Sequence, residues 1–177
     1  IVTNRDEPTF ENVILAFDNS GQMLAQTSLV FGMLCAAQNT PEMQALQEQA
    51  MPRLTAHYDK ILLNDALFER VKAVYDNRAT FDLDEHPGRK LSTEDRRLLE
   101  KTYRSFVRAG ALLGADEKAR LAEINGELAL ASVKFGNNLL AENYNFTMEL
   151  EPEQMTGLPA GVQEQAREKA RELGKGN

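Results

Sequence analysis

The sequence predicts a mainly α-helical fold, an antiparallel helical bundle with one orphan β-strand near 144–150. Three observations predict it. Apolar residues recur at spacings of three and four along most of the chain, the period that lines one face of a helix. Capping residues and prolines stand where these periodic stretches begin, and the short connections between them favour antiparallel neighbours. Only 144–150 alternates with a period of two.

Taken in order, Thr9 is placed to cap a first helix with the apolar face Phe10, Val13, Ile14 and Phe17, interrupted at Asn19-Ser20-Gly21. A second helix carries Leu24, Thr27, Phe31 and Leu34. Thr40-Pro41 opens a third, since proline at the first helical position loses no hydrogen bond; its stripe runs Met43, Leu46, Ala50, Leu54, Tyr58, Ile61. Pro52 falls inside it and is expected to kink or split it, because it lacks the N–H and its ring clashes with the carbonyl of Glu48. Asn64 caps a helix bearing Leu67, Phe68, Val71, Val74 and Tyr75.

An acidic loop, Phe81-Asp82-Leu83-Asp84-Glu85-His86-Pro87-Gly88, follows. Ser92 and Asp95 then approximate a capping box for a helix expected to reach about Leu113, where Gly114 supplies the left-handed stop. The longest helix starts near Asp116, with Leu121, Ile124, Leu128, Ala131 and Phe135 at three-four spacing. Tyr144, Phe146, Met148 and Leu150 give the strand, ended by Glu151-Pro152. Gly157-Leu158-Pro159 turns the chain into a last helix with Val162, Ala166, Ala170 and Leu173 on its apolar side. Two parts result: a helical bundle over 1–141, and a strand plus terminal helix over 142–177 that reads as the truncated start of a further substructure.

The chain's 177 residues suffice for one domain with a core. Apolar residues at 42% and charged residues at 27% are ordinary globular usage and exclude disorder throughout. A net charge of −7, with acids and bases interspersed, argues against a nucleic-acid partner, which would need a basic face. No apolar run approaches the roughly 20 residues that span a bilayer, and residues 1–7 contain no signal-peptide core, so no membrane partner is expected. Both ends read as cut: there is no initial Met, and Gly174-Lys175-Gly176-Asn177 stops where a connection is expected.

The chemistry-bearing residues do not assemble into a template. A hydrolytic metal site needs several His, Cys, Asp or Glu side chains on one ion, yet the only histidines are His57 and His86, and neither stands in an H-E-x-x-H pattern. His57 lies one residue off its helix's apolar stripe and reads as a surface or partly buried side chain. His86, with Asp82, Asp84 and Glu85, reads as a solvated acidic loop with at most weak cation attraction. Cys35, the lone cysteine, excludes an intramolecular disulfide and reads as a small core residue. Arg96, Arg97, Arg104 and Arg108 read as a solvated face, with Arg108 near Gly110 able to line a cleft. There is no G-x-S-x-G elbow, P-loop or dinucleotide fingerprint. No catalytic, cofactor-binding or metal-binding residue is assigned.

Several segments nevertheless resemble one family in order. They are Pro8-Thr9-Phe10-Glu11-Asn12-Val13-Ile14, Ser20-Gly21, Asn64-Asp65-Ala66-Leu67-Phe68-Glu69-Arg70-Val71, the run from Leu98-Leu99-Glu100-Lys101-Thr102-Tyr103 through Arg108-Ala109-Gly110-Ala111, Phe135-Gly136-Asn137-Asn138, and Gly157-Leu158-Pro159. Together they resemble the thimet-oligopeptidase-like zinc metallopeptidases, and within them bacterial peptidyl-dipeptidases (dipeptidyl carboxypeptidases). The resemblance implies a helical parent enzyme of two lobes flanking a channel, with zinc held by an H-E-x-x-H helix and a later Glu. This chain would be part of the N-terminal lobe, without zinc or activity of its own, reaching short peptides and the catalytic lobe through the rest of the polypeptide. The expected unpaired strand would also recruit a second copy of the fragment. A free-standing helical interaction or adaptor module fits the same composition. The single cysteine permits cytoplasm or periplasm.

Overall fold

The computed structural model describes residues 1–82 and 90–175, in two compact units, Ile1–Leu140 and Ala141–Asn177. In the first unit, Thr9 opens helix α1: its hydroxyl accepts the Asn12 N–H at 3.1 Å, and the Asn12 side chain accepts the Thr9 N–H at 2.9 Å. Each partner satisfies a backbone donor that a helix start leaves open. α1 is π-helical over Phe10–Leu15, with the Ala16 N–H reaching back to the Glu11 carbonyl, and continues as Ala16–Asp18. α2 (Gln22–Ala37) follows Gly21, whose φ of 74° supplies the left-handed turn.

Thr40 caps α3 (Pro41–Leu62) by accepting the Met43 N–H at 3.3 Å. In its first turn, hydrogen bonds from its own backbone and from Thr40 hold the Glu42 carboxyl below the usual range. Asn64 caps α4 (Asp65–Asp76) through the Leu67 N–H at 2.9 Å. A 3₁₀ turn, Asn77–Asp82, comes next; the rest of the expected acidic loop, His86 included, lies outside the described residues. Ser92 and Asp95 form the expected box at 3.0 and 3.1 Å ahead of α5 (Thr93–Arg108). α6 (Ala115–Asn145) completes this series.

The core lies where α1, α4 and α5 meet. Phe10, Val13 and Ile14 from α1, Val71 and Val74 from α4 and Phe106 from α5 are fully buried, with Leu67, Phe68, Leu91, Leu99 and Ala111 nearly so. Fully burying side chains of this size is worth about 1.5–3 kcal/mol each. The Phe106 ring lies 5.4 Å from that of Phe17 and 6.1 Å from that of Phe68, and Tyr103 stacks on Tyr75 at 3.8 Å. Two polar clasps tie distant segments to α4. The Arg70 guanidinium donates to the carbonyls of Asn4 at 3.0 Å and Asp6 at 3.1 Å, and the buried Lys118 ammonium pairs with Asp65.

Four sequence expectations are corrected. No strand occurs among the described residues. α6 continues through Asn145, the Phe146 N–H still bonds the Glu142 carbonyl at 2.8 Å, and 147–150 make no ladder. Alternation describes a strand only when a second strand takes its hydrogen bonds, and none does. Second, α5 stops at Arg108 rather than near Leu113. Gly110, at φ 98°, is the left-handed residue, with Ala111 N–H bonding Phe106 O at 3.0 Å and Gly110 N–H bonding Val107 O at 3.1 Å, a Schellman stop. Gly114 instead precedes α6, its N–H bonded to the Glu117 carboxylate at 2.9 Å.

Third, of the kink or split expected at Pro52, the split does not occur: α3 is one helix from Pro41 to Leu62. Fourth, the stripe of α6 is largely uncovered: Ile124 is 42% exposed, Leu128 60% and Phe135 70%. In the second unit, a 3₁₀ turn Pro152–Met155 leads to α7 (Ala160–Glu172), which ends in another Schellman stop at Gly174. The Gln163 amide donates to the Leu158 carbonyl at 2.9 Å, and Lys175 pairs with Glu149.

Candidate functional site

The residues singled out for chemistry are dispersed. His57 is exposed on α3, its ring edge-on to Tyr58 at 5.8 Å. Cys35 is 5% exposed, and burial pushes its thiol up from the ordinary range. Arg104 pairs along α5 with Glu100 at 2.6 Å, and Arg97 and Arg108 are exposed. Among the described residues no three His, Cys, Asp or Glu side chains come together as a metal site. Also among them, no helix is long and apolar enough to cross a membrane.

What the fold does build is a pair of grooves in the first unit. One, of about 620 Å³, runs between α2 and α3, floored by Leu24, Phe31, Leu46, Ala50 and Leu54, with Arg53 and His57 at its edge. These floor residues are the stripes legible in the sequence; Arg53 and His57 were not legible as its rim, because that depends on how α2 lies on α3. A second groove of about 390 Å³ separates α3 from α6, lined by Met51, Thr55, Asn125, Leu128 and Val133 among others. Beside it the Asn125 amide donates to the Asp59 carboxylate at 2.9 Å, linking the two helices. The second unit has its own hollow of about 630 Å³, between 147–156 and α7. Thr27 and Ser28 also line the α2–α3 groove, and the Thr27 hydroxyl donates to the Met23 carbonyl of its own helix at 2.8 Å.

By fold and side-chain chemistry this is a helical protein with apolar grooves and, among its described residues, no group of three possible metal ligands. It is 38% identical over 143 residues, 81% of the chain, to the dipeptidyl carboxypeptidase of Escherichia coli (strain K12). It is 38% identical over 141 residues, 80% of the chain, to that of Salmonella typhimurium (strain LT2). Over that stretch the chain is a homologue of the dipeptidyl carboxypeptidases, which bears out the resemblance read from its segments. The match covers about a fifth (20%) of the length of each of these relatives. No protein-family model matches the chain.

Proposed function

We propose that this chain is the non-catalytic, N-terminal helical part of a zinc peptidase that releases C-terminal dipeptides from short peptides, and that it forms part of the wall of the substrate channel. The observation that carries the reading is 38% identity over four fifths of the chain to relatives five times as long as the matched stretch. On this reading no zinc ligand is assigned to the described residues, among which no three possible metal ligands come together. Hydrolysis then belongs to the remainder of the polypeptide, and helices closed around the core of Phe10, Phe68 and Phe106 serve as a stiff partition. A wall of that kind admits extended peptides and turns away folded proteins.

The test compares two polypeptides. One is the 177-residue chain alone, and the other is a chain extended to the relatives' length. The longer one is expected to release dipeptides from a fluorogenic peptide and to lose that activity with a chelator. The short one is expected to show neither turnover nor one retained zinc per chain after dialysis. Chelator-sensitive turnover by the short chain would overturn the non-catalytic reading, and an inactive, zinc-free long polypeptide would overturn the peptidase reading.

A further inference from the structure

The groove between α2 and α3 has a property the channel-wall reading does not use. α2 contains no Asp, Glu, Lys or Arg in its 16 residues, yet only Cys35 is buried in it. Met23, Leu29, Val30, Met33 and Leu34 are 47–82% exposed. A helix apolar on all sides is normally an interior helix. The groove beside it continues that apolar surface over about two turns: Leu24 and Phe31 on one side and Leu46 and Leu54 on the other span roughly 10–12 Å at 1.5 Å per residue.

We propose that this groove is the seat of an amphipathic helix supplied by the part of the proposed peptidase polypeptide other than these 177 residues, so that α2 becomes an interior helix there. The inference rests on the proposed parent enzyme and deepens it. Both walls are helices whose backbone bonds are internal, so the floor offers an incoming segment no backbone partners. A segment seated there must satisfy its own N–H and C=O groups, which a helix does and an isolated strand does not. The two-turn length fits apolar residues at i, i+3 or i+4, and i+7 of the guest.

Arg53 and His57, one turn apart at the edge, favour an acidic residue on the guest's flank. A second copy of the chain is the poorer occupant. A two-fold contact would set concave groove against concave groove and Arg53 near its own copy, and would add another net charge of −7. Four fifths of each relative's length lies outside the match, ample for one helix.

The experiment labels a thiol at the groove. Thr27→Cys places it on an exposed groove position, with Cys35, 5% exposed, as the slow internal reference. In the 177-residue chain it is expected to react as a free thiol at every protein concentration. In the polypeptide of the relatives' length it is expected to react at least about ten-fold more slowly, the protection that a covered site shows. Adding Leu46→Glu, at a position 50% exposed in the chain alone, is expected to restore fast labelling in the long polypeptide.

Equal rates in the short and long polypeptides would overturn the proposal, as would protection that Leu46→Glu leaves intact. Protection in the short chain that grows with concentration would assign the groove to a second copy and overturn it too. Peptidase activity of the long polypeptide is measured separately. An active enzyme with an unprotected thiol sinks only the groove, and an inactive one with a protected thiol sinks only the peptidase reading.

Discussion

Gly110 holds a φ of 98°, and a Cβ built there would stand 2.7 Å from Leu121 Cδ2 and 2.9 Å from Leu113 Cδ1. Both neighbours are ends of flexible side chains that can shift, so the left-handed backbone is the larger cost. Gly110→Ala is expected to destabilise the chain by about 1–3 kcal/mol in urea unfolding. Gly114 lies outside the left-handed region, and a Cβ there meets only the Glu117 carboxylate at 3.6 Å. Gly114→Ala is therefore expected to be neutral or to stabilise by up to about 1 kcal/mol; equal losses at both glycines would contradict the assignment of the α5 stop. The sequence offered both glycines four residues apart, and periodicity alone could not choose between them. The choice depends on the contact that buries Ala111 beside Phe106 once the chain has turned. The caps at Thr9, Thr40, Asn64 and Ser92 were legible because each bond closes within three residues.

Helices and their breaks follow the same logic on a larger scale. Pro52 sits inside an uninterrupted α3, so the Glu48 carbonyl loses its usual partner while the helix persists. An interior proline costs about 3 kcal/mol relative to alanine. Pro52→Ala is expected to recover about 1–3 kcal/mol, read as a rise in the urea midpoint at unchanged slope. A lower midpoint would mean that neighbours have packed to the bend proline imposes. The misread strand has a different cause, the lack of a pairing partner. Tyr144 and Asn145 extend a 31-residue helix, and the alternation of Phe146, Met148 and Leu150 had no partner in the described residues to make it a strand. The groove was half legible for a related reason: Leu24, Phe31, Leu46, Ala50 and Leu54 announce apolar faces. Nothing local states that two of those faces would be left uncovered along one seam.

Across the molecule, burial is concentrated. Every residue of the core cluster lies between Phe10 and Ala111, and among the described residues of 141–175 none is buried. The stability of the first unit is therefore expected to come from α1, α4 and α5, with α2 and α6 contributing apolar surface that remains exposed, Met23 and Phe135 among it. Two changes separate this from a core spread evenly over the helices. Phe106→Ala removes a fully buried ring in contact with Phe17 and Phe68 and is expected to cost about 3–5 kcal/mol. Ending the chain at Leu140 deletes 37 residues, more than a fifth of the 177, but no member of that cluster. It is expected to move the thermal midpoint by no more than about 4 °C, the shift that about 1 kcal/mol produces in a chain of this size. Circular dichroism on the two variants and the parent decides. A shortened chain that unfolds without a cooperative transition, or melts as early as Phe106→Ala, would show that residues beyond Leu140 support the core, and the division into two units would not describe how the protein is stabilised.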